Sequence, residues 1–450
     1  MIKVITYGTY DLLHHGHVRL LERAKALGDY LIVGVTADGF DRDRGKINIQ
    51  QSLMERIEAV KATGIADEVI VEEYEGQKID DIRKYGIDIF TVGSDWVDHF
   101  DYLKEYCQVI YLPRTEGISS SELRTQTRRI KMGLVGDTHV VEKFMKECAF
   151  VNGVEVVGVC SNEDAILNDP LFSELEIKTR EYNTLIDRVD AVYLVSHPKR
   201  HYEQIKHALL HNKHVICESP ITMSLEKCEE LFCLAKKQQC ILMEAIKTAY
   251  STAYTRLLVM LKSGKIGRIV SVDTTCTSLS EYRANDVAYL SKAWNSICAW
   301  GPTALLPVFQ LLGTEYKQKR IVSAFADENK TFDLFTKIEF EYESAVASVK
   351  VGKGVKSEGE MVISGTKGYI YVPAPWWKTD YFEVRYEDPR DTKKIFYPLE
   401  GEGIRYGIVA FLKAIKNGSS DYNIPMKVTK EICKVIEDFD NKKDVNVLSF

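Results

Sequence analysis

No uninterrupted apolar run in this chain approaches the ~20 residues that a membrane-crossing helix requires. Membrane insertion is therefore not expected. The opening residues, Met1-Ile2-Lys3-Val4-Ile5-Thr6-Tyr7, lack both a charged leader and a long apolar core. They read as a first β-strand and not as a signal peptide. No CxxC pair occurs among the 10 cysteines, and the nearest two, Cys228 and Cys233, lie five apart. Thiols scattered through apolar stretches such as Val215-Ile216-Cys217 predict buried, reduced cysteines in a cytoplasmic protein. Charge of one sign is also lacking: 59 basic and 65 acidic residues leave a formal net charge of −6. That balance argues against a general nucleic-acid binder. Low-complexity linkers and internal repeats are absent.

What is present is ordinary globular material. Hydrophobic residues make up 45% and charged residues 28% of the 450 positions, enough apolar content for more than one core. At roughly 150 residues per domain the length predicts about three domains. The first stretch alternates strands (Lys3–Thr6, Tyr30–Thr36, Glu68–Val71, Ile87–Val92, Val109–Leu112) with helices (His17–Leu27, Ser52–Ala62, Lys78–Lys84). Such alternation predicts a parallel α/β sheet with its ligands at the carboxyl ends of the strands. The pattern begins again at Ile130–Val135 and runs to Ile241–Ala245, a second doubly wound unit. Strands dominate from Ile269 onward, predicting a mostly antiparallel sheet with a few helices, the last near Lys427–Phe439. The expected boundaries are 1–128, 129–250 and 251–450.

The informative segment near the N-terminus is Gly8-Thr9-Tyr10-Asp11-Leu12-Leu13-His14-His15-Gly16-His17. A strand ends, small residues turn the chain, and two histidines three apart open a helix. That spacing predicts His14 and His17 on one helix face, beside backbone N–H groups that attract an anion. Two imidazoles there suit a phosphorus centre that gains negative charge. Zinc would need a further ligand, and none of comparable specificity is evident, so a metal stays unassigned. A second anion-binding pattern is Arg114-Thr115-Glu116-Gly117-Ile118-Ser119-Ser120-Ser121, a forked cation followed by serines that begin a helix.

His14-His15-Gly16-His17 resembles the HxGH motif of a nucleotidyltransferase family, and the Arg114–Ser121 segment resembles the second signature of its CTP-using branch. Resemblance to bacterial glycerol-3-phosphate cytidylyltransferases spans nearly all of residues 1–128. It includes Gly93-Ser94-Asp95-Trp96, Phe100-Asp101-Tyr102-Leu103 and Val109-Ile110-Tyr111-Leu112-Pro113. The resemblance implies that Thr9, Tyr10, His14, His15, Gly16 and His17 line a CTP site. Arg114, Thr115, Glu116, Gly117, Ile118, Ser119, Ser120 and Ser121 would surround the phosphates. His14, His17, Lys46 and Arg114 would be catalytic. Lys78 and Arg44 would hold the acceptor phosphate; position 44 more often carries lysine in that family. The implied reaction joins CTP to sn-glycerol 3-phosphate, giving CDP-glycerol and pyrophosphate, with Mg²⁺ accompanying the nucleotide. A CDP-polyol would feed teichoic-acid-like or capsular polymers. Choline-phosphate and ethanolamine-phosphate enzymes share both signatures, so another acceptor remains an alternative.

From Met132 onward the chain resembles the glucose-fructose oxidoreductase and inositol dehydrogenase family, on His214-Val215-Ile216-Cys217-Glu218, Ser263-Gly264-Lys265-Ile266-Gly267 and Gly365-Thr366-Lys367-Gly368. The residues that carry that family's chemistry are missing. The GxGxxG fingerprint reads Gly136-Asp137-Thr138-His139-Val140-Val141, and the ribose-binding acid gives way to Cys160-Ser161-Asn162. Glu-Lys-Pro reads Glu218-Ser219-Pro220, and the His-Asp pair is replaced by Thr303 and Ala304. His197, His201 and Lys247 are candidate substitutes, although a surface or core role accounts for each. The expectation is a non-catalytic module without NAD(P), serving dimerisation, scaffolding or regulation. An active reductase and a ligand-sensing module are the alternatives. Relatives of both halves are oligomers, which implies a homo-oligomer.

Overall fold

The structure is a computed structural model that describes residues 1–37, 49, 51–74, 76–113, 129–279, 293–397, 399–418 and 423–448. Contacts divide the chain into two compact units, Met1–Arg129 and Ile130–Phe450.

The first unit is built on β1 (Lys3–Gly8), β2 (Tyr30–Thr36), β3 (Glu68–Glu72), β4 (Ile89–Gly93) and β5 (Gln108–Leu112). They form one all-parallel sheet in the order β3-β2-β1-β4-β5. Both faces are covered, which is why β1 and β2 read as continuous apolar runs. Leu21 and Ala24 of the helix His15–Lys25, with Ile57 and Val60 of the helix Leu53–Ala62, pack on Val4, Leu31 and Val33. Ile82 of the helix Gln77–Tyr85 packs with Phe100 and Leu103 on Ile5, Ile32 and Phe90 of the other face. The helix expected from Ser52 begins one residue later because Ser52 is its cap. The Ser52 and Glu55 side chains satisfy each other's backbone N–H groups.

Arg56 lies in the first turn of that helix and is fully buried. Its Nη1 donates to the carbonyls of Thr9 (2.7 Å) and Thr36 (2.8 Å), and its Nε donates to Gln51 O (3.2 Å). Thr9 follows β1 and Thr36 ends β2, so one guanidinium ties the carboxyl ends of two adjacent strands to the helix behind them.

The second unit contains two sheets. The first holds β6 (Ile130–Gly136), β7 (Val154–Cys160), β8 (Ile177–Thr179), β9 (Ala191–Val195), β10 (His214–Cys217) and β11 (Leu242–Glu244). All six are parallel, in the order β11-β10-β9-β6-β7-β8. The strand order reverses between β6 and β9, and that reversal opens a crevice at the carboxyl ends. Val135, Val192, Leu194 and Val215 of this sheet pack with Leu185, Ile205, Leu209 and Leu231 of its helices. Cys433, from the late helix Met426–Asp440, joins the same core.

The other sheet comprises β12 (Ile269–Thr277), β13 (Gln318–Phe325), β14 (Asp333–Glu341), β15 (Val346–Gly352), β16 (Met361–Gly365), β17 (Tyr369–Val372), β18 (Tyr381–Arg385), β19 (Lys393–Phe396) and β20 (Val445–Val447). It is mixed and mostly antiparallel; β12–β15 and β13–β20 are the parallel pairs. The helix Ser296–Leu312 that packs against it has no counterpart in the sequence reading. It contains Pro302 and Pro307, residues that ordinarily break a helix. Glu147 and Arg405 are both buried, and they join the helix Val140–Cys148 to the start of the helix Ile404–Asn417. Their pairing is bidentate, at 2.9 Å and 3.0 Å.

Replacing Arg56 with Met should leave three backbone carbonyls without their donor, each worth about 1–3 kcal/mol when buried. We expect a loss on the order of 3 kcal/mol, read as faster hydrogen exchange in peptides covering residues 1–37. Unchanged exchange there would show that Arg56 does not hold these loops.

Candidate functional site

In the first unit the chain leaves β1 through a tight turn. Tyr10 is buried with φ 52°, and Leu12 has φ 50°, both left-handed and rare for such side chains. Gly8 permits this, because a Cβ there would stand 2.9 Å from the Tyr10 ring. Asp11 Oδ1 accepts from Gln51 N (2.9 Å), and Gln51 Oε1 accepts from Leu12 N (2.7 Å). The turn is thus clamped on the segment that Arg56 also holds.

His14 is the cap of the helix His15–Lys25 and not a member of its first turn, as the spacing had suggested. Its backbone is extended, and its Nδ1 accepts from Gly16 N at 3.0 Å. An accepting Nδ1 places the neutral ring's proton on Nε2. The two rings still meet: His14 and His17 stack at 3.9 Å between centroids, and Tyr10 contacts His17 edge-on at 5.6 Å. No acidic residue stands in the first turn, so the positive end of the helix is not offset by its own side chains. Thr9, Tyr10, His14, Gly16 and His17 therefore gather at one strand end. His15 is exposed, with its Nε2 accepting from Arg19 Nε (3.2 Å).

Lys78 is buried, in an ion pair with buried Glu72. Its Nζ lies 4.7 Å from the Tyr7 ring centroid and 5.3 Å from that of Phe100. A ligand phosphate would have to compete with Glu72 for it. Arg44 and Lys46, together with Arg114, Thr115, Glu116, Gly117, Ile118, Ser119, Ser120 and Ser121, lie outside the described residues. Sequence reasoning missed Arg56 altogether, since an arginine on an amphipathic helix carries no signal of burial.

In the second unit the crevice at the end of β6 is taken up by the protein itself. The Asp137 carboxylate accepts from Asn162 N (2.8 Å), Asn162 Nδ2 (3.3 Å) and Ser161 Oγ (3.1 Å), and it is ion-paired with Arg200. Burial pushes its carboxyl up, but Asn162 N–H and Arg200 outweigh that and hold it below the ordinary value. An ionised carboxylate at this turn repels a pyrophosphate and already holds the loop where a ribose would bind. A Cβ on Gly136 would come within 2.5 Å of Val195 Cγ1, so the glycine is required by packing alone.

At the end of β10, Ser219 donates to buried Glu244, whose other oxygen accepts from Thr429 Oγ1 (2.6 Å). The position of the expected proton donor is thus spent on internal structure. Thr303 and Ala304 sit within the helix Ser296–Leu312, Ala304 fully buried. His201 is buried with its ring nitrogens 2.8 Å from the carbonyls of Pro220 and Ser196. Burial lowers its pKa to about 4 despite those carbonyls. His197 caps the helix Pro198–Leu210, accepting from Lys199 N (3.3 Å).

Lys247 differs from them. Burial and the neighbouring Lys378 lower its pKa to about 8, against the pull of Glu402 and Glu218. Burial raises Glu218 to about 7, although Tyr193 donates to it at 2.7 Å and Lys247 favours its charge.

Two families match the chain. The Cytidylyltransferase-like family matches residues 5–126, and the oxidoreductase family with an NAD-binding Rossmann fold matches residues 130–246. Glycerol-3-phosphate cytidylyltransferase of Bacillus spizizenii is 52% identical over 124 residues, 28% of this chain and 95% of the relative. That of Staphylococcus aureus is 46% identical over 130 residues, 28% of this chain and 95% of its own length. Among solved structures, a 3-ketoreductase from Actinomadura kijaniata in complex with NADP and TDP-benzene superposes with a TM-score of 0.63 at 17% identity. It covers 72% of this chain and 100% of its own. At that identity the likeness is one of fold.

Glu218 binds a proton in the folded chain between pH about 4.5 and about 7, where the unfolded chain has released it. Its contribution to stability is full below that window and lost as pH rises through it. Asp333, raised by burial to about 6, acts in the same direction. Melting temperature measured across this window should fall less steeply with rising pH in Glu218→Gln than in the wild type. Parallel curves would mean that Glu218 titrates alike in both states.

Proposed function

Through its first unit the chain belongs to the cytidylyltransferase-like family, as a nucleotidyltransferase, and from that premise we propose that it makes CDP-glycerol from CTP and sn-glycerol 3-phosphate. The observation that carries the reading is the stacked His14–His17 pair at the capped helix N-terminus beyond β1. A phosphate oxygen of the acceptor attacks the α-phosphorus of CTP. The new P–O bond forms as the bond to the β-phosphate oxygen breaks, and pyrophosphate departs with that electron pair.

The acceptor phosphate is already largely ionised, since its second pKa lies near ~6, so no strong general base is required. The protein's task is alignment and stabilisation of charge at the pentavalent centre. His14 offers Nε2–H towards that centre, and His17 is held against it by the ring stack and by Tyr10. Lys46, Arg114 and the residues through Ser121 fit the nucleotide phosphates, while Arg44 and Lys78 fit the acceptor phosphate by charge. Among the described residues no cluster of three or more His, Cys, Asp or Glu could hold a metal ion. Mg²⁺ would then enter coordinated by the phosphates of CTP. A role in supplying teichoic-acid-like or capsular polymers is what the family resemblance implies for that product.

Pyrophosphate release is the direct test, with glycerol 3-phosphate, ribitol 5-phosphate, choline phosphate and ethanolamine phosphate as acceptors. Turnover should require glycerol 3-phosphate, and His17→Ala should lower kcat by at least ~100-fold with the fold retained. Near-wild-type turnover in that variant removes the assignment, and preference for another acceptor replaces glycerol 3-phosphate.

The second unit, we propose, is not a nicotinamide-dependent reductase. Asp137 supports this by its place on Asn162 and Arg200, and Ser219 by its donation to Glu244. Fluorescence titration of the full chain with NADH and NADPH should show no saturable binding. Saturable binding of either cofactor overturns the reading.

A further inference from the structure

Three lysines in the second unit converge on one carboxylate. Lys378 Nζ lies 2.6 Å from Glu402 Oε2, Lys247 Nζ 3.6 Å and Lys143 Nζ 3.7 Å from the same oxygen. Glu402 and the nearby Glu218 are too little negative charge for three lysines, and an excess of positive charge costs energy unless something neutralises it. Glu402 is held down to about 2, first by its hydrogen bond from Lys378, while the cost shows at Lys247, which burial and the neighbouring Lys378 lower to about 8.

Each member is positioned by a rigid anchor. Lys143 and Glu147 are four apart on one helix and share a face. Glu147 grips Arg405 and accepts from Glu402 N (3.3 Å), which brings Glu402 up to Lys143. Lys378 ends the short turn Trp376–Lys378, where buried Trp376 donates from Nε1 to Thr275 O (3.1 Å). Lys247 begins the next short turn, fixed by Thr248 Oγ1 donating to Trp377 O (3.1 Å) and Tyr250 OH donating to Glu244 O (2.7 Å). The four side chains are between 28% and 40% exposed, open to a ligand without being free in solvent.

The place matters as much as the charge. Lys143 rides on the helix that follows β6, while Lys247 and Glu218 follow β11 and β10, on the other side of the strand-order reversal. Ligands of doubly wound sheets bind at that reversal, at the carboxyl ends. We propose that Lys143, Lys247 and Lys378 form a binding site for a phosphate monoester, with Glu402 standing in for the ligand's charge when the site is empty. A phosphate monoester carries about −1.5 to −2 at neutral pH, enough to neutralise the excess. Glu218, on the same side as Lys247, offers an acceptor for a hydroxyl of the same ligand, so a phosphorylated polyol fits better than a bare anion. The proposal is independent of the first unit's reaction.

The test reads the site itself. Lysines of the full chain are acylated with a small active ester, residue by residue, in inorganic phosphate or in chloride of equal ionic strength, and followed by mass spectrometry. Phosphate at twice its dissociation constant should slow labelling of Lys247 and Lys378 about threefold, the factor 1 + [L]/Kd. Exposed Lys262 should label at an unchanged rate. Glu402→Gln, which removes the internal carboxylate, should shift the protection curve to lower phosphate, and Lys378→Met should shift it to higher. Glycerol 3-phosphate in place of phosphate should protect at lower concentration. Equal slowing at Lys262, absence of protection in both wild type and Glu402→Gln, or protection indifferent to Lys378→Met would each overturn the proposal.

Discussion

A buried guanidinium against three carbonyls is the constraint on which the first unit's site depends. The carboxyl ends of parallel strands are where backbone acceptors run out of ladder partners, and where a ligand must be admitted without letting the loops collapse. Arg56 resolves this by gathering Thr9, Thr36 and Gln51 carbonyls around one cation behind the sheet. With these acceptors satisfied, the turn holds Tyr10 in a left-handed conformation, and the helix beyond it begins at its His14 cap. His14 then serves two ends at once: as a cap it spends Nδ1 on Gly16, and that bond sets the proton on the nitrogen that remains. Geometry at the site is a consequence of satisfaction behind it.

The second unit meets the same constraint with the opposite sign. Its crevice at the end of β6 is filled by an anion, Asp137, which draws in the donors Asn162 N, Asn162 Nδ2, Ser161 Oγ and Arg200. Where Arg56 satisfies acceptors, Asp137 takes up the donors Asn162 N, Ser161 Oγ and Arg200. Positive charge that Asp137 does not meet gathers at Lys143, Lys247 and Lys378. Two parallel sheets of the same class thus differ in which charge was buried at the strand ends, and the chemistry open to each follows from that choice.

Much of this was legible in sequence because burial on both faces leaves a plain mark. Tyr30–Thr36 has the bounds that the apolar pattern predicts. The histidines were legible through their motif, although the pattern could not show that His14 caps the helix instead of entering it. The helix Ser296–Leu312 was hidden by Pro302 and Pro307, whose effect on an isolated helix is overridden by packing on the sheet. Its Asn295 cap, accepting from Cys298 N, was the one local signal of where it starts. Interactions between distant positions left no mark at all. Asp137 and Arg200 are 63 residues apart, and Glu147 and Arg405 are 258 apart, so only the folded chain reveals each as a pair.

Why the second unit should keep its fold while its fingerprint is gone has a physical answer. The residues that hold its parallel sheet together, Val135, Val192, Leu194 and Val215 among them, point into the core and take no part in chemistry. The departures fall at strand ends and on the helix Ser296–Leu312, and those at Asp137 and Ser219 are internally compensated. Asp137 has Arg200, and Glu244 has Ser219 and Thr429. A lysine at 219 would still face an ionised Asp137 at the dinucleotide turn and an alanine at 304. Removing Asp137 would leave Arg200 and Asn162 N–H without their acceptor and would still supply no proton donor. These positions are separate in structure, each held by its own partners, and a ligand for the lysine cluster is the use proposed for the unit's fixed geometry.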